Sequence, residues 1–280
     1  MIDLTFYNAV ALCLGGVSIF VAMKILNNQR KVRIWSKWSE QSKNKVVLHG
    51  MFGGRQVPTA SPFVLKVETY LRMAKIPYEI DKVDVWGPKA KTPWLSINGR
   101  NISDSQFIVE YLRKKYDKQL NAVYSEEKQA IGMAVRVMME EYMYWGGILW
   151  RFTFGGRDTF EQLRKGNITI GEFMIFKMIA PSLTSMAWTQ GLGRHSEQEV
   201  IEIMSNCLKS VSKILGNKPF LLGHHPCEED CAVFGQLASA VFTENSPFTE
   251  LFENELRNLK DYCQRMKEEY WPDWNELLHH

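Results

Sequence analysis

Residues 4–23 read LTFYNAVALCLGGVSIFVAM, an apolar run without a charge. About 20 such residues is the length an α-helix needs to cross a bilayer's hydrocarbon core. Beyond this run the pattern breaks into shorter periods. Residues 45–52 (KVVLHGMF) are apolar and β-branched and end at Gly53-Gly54, the pattern of a strand running into a loop. Ser61-Pro62 supplies an N-cap and a first-turn proline. Phe63, Val67 and Leu71 then recur every four residues on one helix face, which Pro77 stops. Residues 78–85 alternate apolar and polar, as a second strand would. Residues 94–97 form a short apolar strand, and Asn98-Gly99 behind it is a hairpin-turn signal. Ile102 begins the last short strand. Ser103 to Gln106 (SDSQ) has the form of a capping box, and Phe107, Ile108, Tyr111 and Leu112 give the next helix an apolar face. After Ser125 only helical periods remain, over roughly 125–152, 171–188, 196–215, 229–242 and 249–270.

The order β-α-β, connection, β-hairpin, α, followed by helices alone, predicts a small α/β domain over 46–117 and an all-helical domain over 118–280. A membrane anchor over 1–26 and a basic juxtamembrane linker over 27–45 precede them. The flanking charges orient the anchor. Lys24, Arg30, Lys31, Arg33, Lys37, Lys43 and Lys45 all follow the run, and the side rich in Lys and Arg tends to stay cytosolic. A single-pass protein with a cytosolic globule is therefore expected. A cleaved signal peptide and a buried core helix are the alternatives. Net charge is +3 overall, but residues 1–45 hold +5 of it, so the rest sums to −2. A globule with no basic excess argues against nucleic acid as a partner. The cations of the stub suit anionic membrane lipid, or serve only to set topology. The five cysteines (Cys13, Cys207, Cys227, Cys231 and Cys263) are scattered and odd in number, which is no disulfide framework.

The ordered set of motifs resembles the glutathione S-transferase superfamily. Ser61-Pro62-Phe63 stands where that family keeps its catalytic region. Thr92-Pro93-Trp94-Leu95 matches its X-Pro, a proline that is usually cis, before the third strand. Asp104-Ser105 matches the pair that holds the γ-glutamyl end of glutathione. Phe220-Leu221-Leu222-Gly223, Pro226 and Asp230 match its buried capping box. The GGRQVPTASPFVLKVETYLRMAKIPYE opening, the EEDCAVFGQL helix and the Tyr270-Trp271-Pro272-Asp273-Trp274 tail resemble the failed-axon-connections branch and its nematode cadmium-responsive members, with the metaxins more distant. The resemblance implies a thioredoxin-like α/β domain joined to an all-α domain. It also implies a role in cadmium and toxic-stress handling or in axon development, and a lysosomal or other endomembrane address.

Glutathione is the ligand that the resemblance implies, and a hydrophobic electrophile the co-substrate. Ser61 would stabilise the thiolate. Thr92 and Pro93 would hold the cysteinyl amide, and Asp104 and Ser105 the γ-glutamyl end, at a helix mouth whose free amides suit a carboxylate. Each has a plain structural alternative, since Ser61 and the SDSQ run are also ordinary caps. Thr59 is a weaker hydroxyl candidate, and His49 reads as a core or edge residue. One departure stands out. Between Val85 and Pro93 only WGPKAKT remains, too short for the helix the family places there. Lys89 and Lys91 are the cations nearest that gap. The dense run from Met133 to Phe154 reads as core or as pocket wall, with Arg136 and Arg151 as candidates to face the cleft. Cys227 and Cys231 are weak candidates for a soft metal, being four apart. The readings left open are a glutathione-binding or conjugating protein, a non-catalytic adaptor in a membrane complex, and a direct metal binder. A second copy of the chain or a membrane-complex subunit are the protein partners considered.

Overall fold

The computed structural model describes residues 24–51, 53–54, 56–155, 170–243 and 246–278. The apolar run 4–23 lies outside them. Among the described residues, no helix is long and apolar enough to cross a membrane.

The strands are β1 (Val46–His49), β2 (Glu79–Asp81), β3 (Trp94–Ile97) and β4 (Arg100–Ser103), in the order β2-β1-β3-β4. β1 runs parallel to β2 and antiparallel to β3, and β3 pairs antiparallel with β4 across the Asn98-Gly99 turn. The pleat sends alternate side chains to opposite faces. Val46, Leu48, Leu95 and Ile97 share a core with Val64, Leu65, Val67 and Leu71 of helix α2 (Pro62–Met73) and with Ile108, Val109 and Leu112 of helix α3 (Ser105–Tyr116).

The opposite face carries His49, Trp94, Ser96 and Asn101, and the chain closes it with residues expected to be a linker. Residues 24–41 form a helix, α1. Lys31, Ile34, Trp35, Trp38 and Ser39, at helical spacing, are its less exposed positions. The Trp38 ring meets His49 edge-on at 4.6 Å, and His49 stacks on Trp94 at 3.6 Å. Asn101 Nδ2 donates to the carbonyl of Trp35 (2.9 Å) and to Ser39 Oγ (3.1 Å). Trp38 Nε1 donates to Asp84 Oδ2 at 2.7 Å. Residues 24–30 are exposed throughout.

The link from β2 to β3 holds no helix, as its length predicts. It turns through Ala90 N to Gly87 O and Gly87 N to Lys91 O. β2 is also shorter than the alternation of residues 78–85 predicts. Asp81 carboxylate oxygens accept from Val83 N (3.3 Å) and Asp84 N (2.8 Å), a local turn that outcompetes strand pairing.

The helical half begins with α4 (Glu126–Met138), capped by Ser125. It continues through a π-turn (Met139–Met143), α5 (Tyr144–Leu149) and a second π-turn (Trp150–Phe154). Then come α6 (Ile170–Gln190), α7 (Glu197–Leu215), α8 (Glu228–Phe242), α9 (Thr249–Asn254), α10 (Arg257–Tyr270) and α11 (Trp274–Leu277). The period expected over 249–270 breaks at Glu255 and Leu256, whose amides both bond Leu251 O.

α8 is the spine that joins the halves. Its residues from Glu228 to Ala238 are all buried. Gly235 lets it approach α2, since a Cβ there would lie 2.6 Å from Pro62 O. The closing tail docks on α2 and on the loop before it. Trp271 Nε1 donates to Thr69 Oγ1 (3.1 Å), Trp274 Nε1 to Gln56 O (3.2 Å), and Arg72 stacks on Trp271 at 3.9 Å while binding Asp273 at 2.6 Å.

Candidate glutathione site and acceptor cavity

The ladder gathers three segments at one end of the sheet. His49, the last residue of β1, pairs with Trp94, the first of β3, and Trp94 pairs with Ser103, the last of β4. The loop to Ser61, the Thr92–Pro93 bond and the Asp104–Ser105 step therefore all leave from the same edge. The Thr92–Pro93 peptide is cis. Lys66 of α2 reaches Gln106 Oε1 of α3 at 2.9 Å, tying the two helix mouths together.

Ser61 is the N-cap of α2 and is 7% exposed. Its Oγ accepts from Val64 N at a long 3.4 Å, and Thr59 Oγ1 holds its own amide at 3.3 Å. No described residue accepts the Ser61 hydroxyl proton, so that donor is available at the positive end of the helix dipole. Thr59 is not, because its hydroxyl already donates to Met51 O at 3.0 Å.

The cap expected at Ser103 stands one residue later. Ser103 still belongs to β4, and Asp104 caps α3, its Oδ1 accepting from Gln106 N (3.1 Å) and Phe107 N (3.4 Å). Asp104 holds a φ of +85°, a conformation that costs a non-glycine residue about 1–3 kcal/mol. Ser105 beside it is buried. Thr92 Oγ1 and Ser103 Oγ are buried with no hydrogen-bond partner among the described residues. Unmet polar capacity of this kind suits a polar ligand at this edge.

Of the other candidates, His49 is fully buried between Asp81 (2.8 Å to Nδ1) and Ser96 (2.9 Å to Nε2). Burial holds its pKa below the ordinary value against the pull of Asp81. Lys89 lies over the Phe107 ring at 4.8 Å. Arg136 binds Glu140 at 2.8 Å, whose other oxygen takes buried Lys66 at 2.5 Å. Burial lowers the Lys66 pKa, and Glu140 opposes the shift.

Arg151 does reach the mouth of α2, its Nη1 donating to Ala60 O at 3.4 Å. It lines a half-open cavity of about 70 Å³ together with Pro62, Tyr144, Trp150 and Gln236. The run from Met133 to Phe154 makes Arg151 legible as a cleft residue, whereas nothing in the pattern of α8, with its acidic first turn, marks Gln236.

The metal reading loses its ligands. Cys227 and Cys231 both have 0% exposure, and no group of three or more His, Cys, Asp or Glu side chains among the described residues is placed to hold an ion. Cys227 caps α8, its amide donating to Asp230 Oδ2 at 2.8 Å, and the Cys231 thiol faces Met73 Sδ at 3.3 Å. Asp230 also binds Leu221 N and the Tyr262 hydroxyl, each at 2.8 Å. Burial pushes both thiols well above their ordinary pKa, away from the thiolate a metal needs.

Known proteins share this architecture. Residues 62–155 match a glutathione S-transferase N-terminal domain model and residues 204–266 a glutathione S-transferase C-terminal domain model, together more than half of the chain. Failed axon connections of Drosophila melanogaster is 29% identical over 79% of this chain and 57% of its own length, so the chain spans little more than half of that relative. Isoprene-epoxide–glutathione S-transferase of Rhodococcus sp. (strain AD45) is 26% identical over 80% of this chain and 99% of that protein. Metaxin-2 of Mus musculus is 22% identical over 76% and 83%. Among solved structures, a β-etherase from Sphingobium sp. strain SYK-6 superposes with a TM-score of 0.56 at 14% identity, over 80% of this chain and 95% of that one. A rice glutathione transferase in complex with glutathione superposes with a TM-score of 0.54 at 17% identity, over 80% and 88%. The chain belongs to the glutathione S-transferase superfamily and is similar within it to failed axon connections and the metaxins.

Proposed function

We propose that this protein is a membrane-anchored glutathione-binding protein that serves a toxic-stress response, cadmium exposure included, by binding or conjugating glutathione. The observation that carries the ligand is the convergence of Ser61, Thr92, Pro93, Asp104 and Ser105 at one sheet edge, with the Thr92 hydroxyl buried and unpartnered among the described residues. Ser61 Oγ–H would donate to the glutathione sulfur, and the first turn of α2 would add its dipole; together these favour thiolate over thiol. The helix mouth at Asp104–Ser105 would take the γ-glutamyl carboxylate, and the Asp104 carboxylate its ammonium. A hydrophobic electrophile would enter from the side of Tyr144 and Trp150. The apolar run 4–23 and the cations of α1 support a single span with the globule in the cytosol, on a lysosomal or other endomembrane, the cations resting against anionic lipid.

The test is calorimetric titration of the full chain with glutathione, with Ser105→Ala alongside. Saturable heat in the wild type, lost in the variant, is the expected result. Flat heats at millimolar glutathione would end the reading.

A second reading is a non-catalytic adaptor in a membrane complex, alone or as a homodimer. It is favoured by residues 82–93, which supply no helix between β2 and β3.

A further inference from the structure

The register of α1 against the sheet gives this helix a direction. Ser42 O accepts from Asn98 N at the turn between β3 and β4, whereas Trp35 O and Ser39 Oγ accept from Asn101 Nδ2, three residues further along. Seven helical residues and three strand residues each cover about 10 Å, so α1 lies along β4 with its N-terminus toward Ser103. Ser103 then stands at about the level of residues 30–31, and residues 24–30 extend about 10 Å past it. That end of the sheet is the edge from which the link between β2 and β3 leaves at Asp81 and returns at Trp94. The link carries two exposed apolar side chains, Val83 at 84% and Trp86 at 56%, and Phe107 of α3, under Lys89, is 54% exposed. Lys82, Lys89 and Lys91 of the link are exposed as well. Its one acid, Asp84, already takes Trp38 Nε1 at 2.7 Å and Lys37 at 3.5 Å. An exposed tryptophan set among lysines is the composition of a surface that meets lipid headgroups.

We infer that this edge is a lipid-contacting surface, with the link from Lys82 to Lys91 resting on the anionic headgroups of the membrane that holds the N-terminus. The inference rests on the anchor proposed above and stands apart from the glutathione reading. The lengths agree. The apolar run ends at Met23, and the edge stands about 10 Å beyond it along α1, while one headgroup layer is roughly 5–7 Å deep. Lysine and tryptophan side chains cover the remainder, which puts Trp86 at the depth where indoles concentrate. The charge has the right sign: residues 82–91 hold three lysines and one aspartate, a net of +2, in a globule whose residues 46–280 sum to −2. A second copy of the chain fits less well, because two such edges would bring like charges together.

The test is the full chain reconstituted into phosphatidylcholine vesicles that contain phosphatidylserine and a lipid spin-labelled on its headgroup, read by tryptophan fluorescence. The label is expected to quench a component of the emission that Trp86→Phe removes and that Trp188→Phe, at an equally exposed tryptophan of α6, leaves in place. Omitting phosphatidylserine, or combining Lys82→Ser, Lys89→Ser and Lys91→Ser, should shrink that component severalfold. Equal quenching of the wild type and Trp86→Phe would overturn the inference, as would a quenched component carried by Trp188 instead. A full chain that carbonate strips from the vesicles would overturn the anchor and this inference together. A retained chain with Trp86 unquenched would overturn this inference and keep the anchor.

Discussion

Glu228 shows how single residues here are held against their solution chemistry. It is 5% exposed at the first turn of α8, and burial pushes its pKa up to about 7, against the pull of Arg113 at 3.2 Å. The folded state therefore keeps a proton that the unfolded chain releases near the ordinary carboxylate value. Between those two values the folded state binds more protons, so stability falls as pH rises. Glu228→Gln is expected to raise the melting temperature above about pH 7 and to converge with the wild type below about pH 4.5. The gap is at most about 3 kcal/mol. Thermal unfolding across that range checks it, and a constant difference would show that titration of Glu228 is not the cause. Glu140 makes the complementary case. Removing it as Glu140→Ala strands buried Lys66 and is expected to cost about 3–5 kcal/mol, whereas Lys66→Met with Glu140→Leu should recover most of that loss. Denaturant unfolding of the two variants decides between an ion pair needed for stability and one replaceable by packing.

At the level of elements, the most consequential helix is α1. Trp38→Ala removes the ring that packs on His49 and the donor to Asp84, and is expected to lower stability by about 3–5 kcal/mol. Chemical denaturation measures this, and a loss under 1 kcal/mol would mean that α1 is not integral to the sheet. The spacing of Ile34, Trp35, Trp38 and Ser39 carried the signal for this element, but the density of cations around it reads equally as a solvated linker. Elsewhere the apolar pattern located β1, β3, α2, α3, α7 and α8 well, because each buries a periodic face in the common core. It misplaced ends. The strand expected over 45–52 stops at His49, because the next residue, Gly50, packs where a Cβ would meet Val64 at 2.6 Å. The cap of α3 moved to Asp104 because Ser103 is claimed by its partner Trp94. That Ser61, Pro93 and Ser105 meet at one sheet edge was legible because motif order carries them there.

For the whole molecule, the expectation is that the full chain sediments with membranes and resists alkaline carbonate, while a chain lacking residues 1–23 is released with its melting temperature unchanged. Extraction followed by calorimetry tests both halves, and a carbonate-soluble full chain would remove the anchor. Cutting further, after residue 41, should unfold the α/β domain by uncovering His49, Trp94 and Asn101. Residues 24–30 have a further consequence. Seven helical residues span about 10 Å, and here all seven are exposed. Continuous with the docked part of α1, they would set a standoff of that length between the globule and the membrane of the proposed anchor.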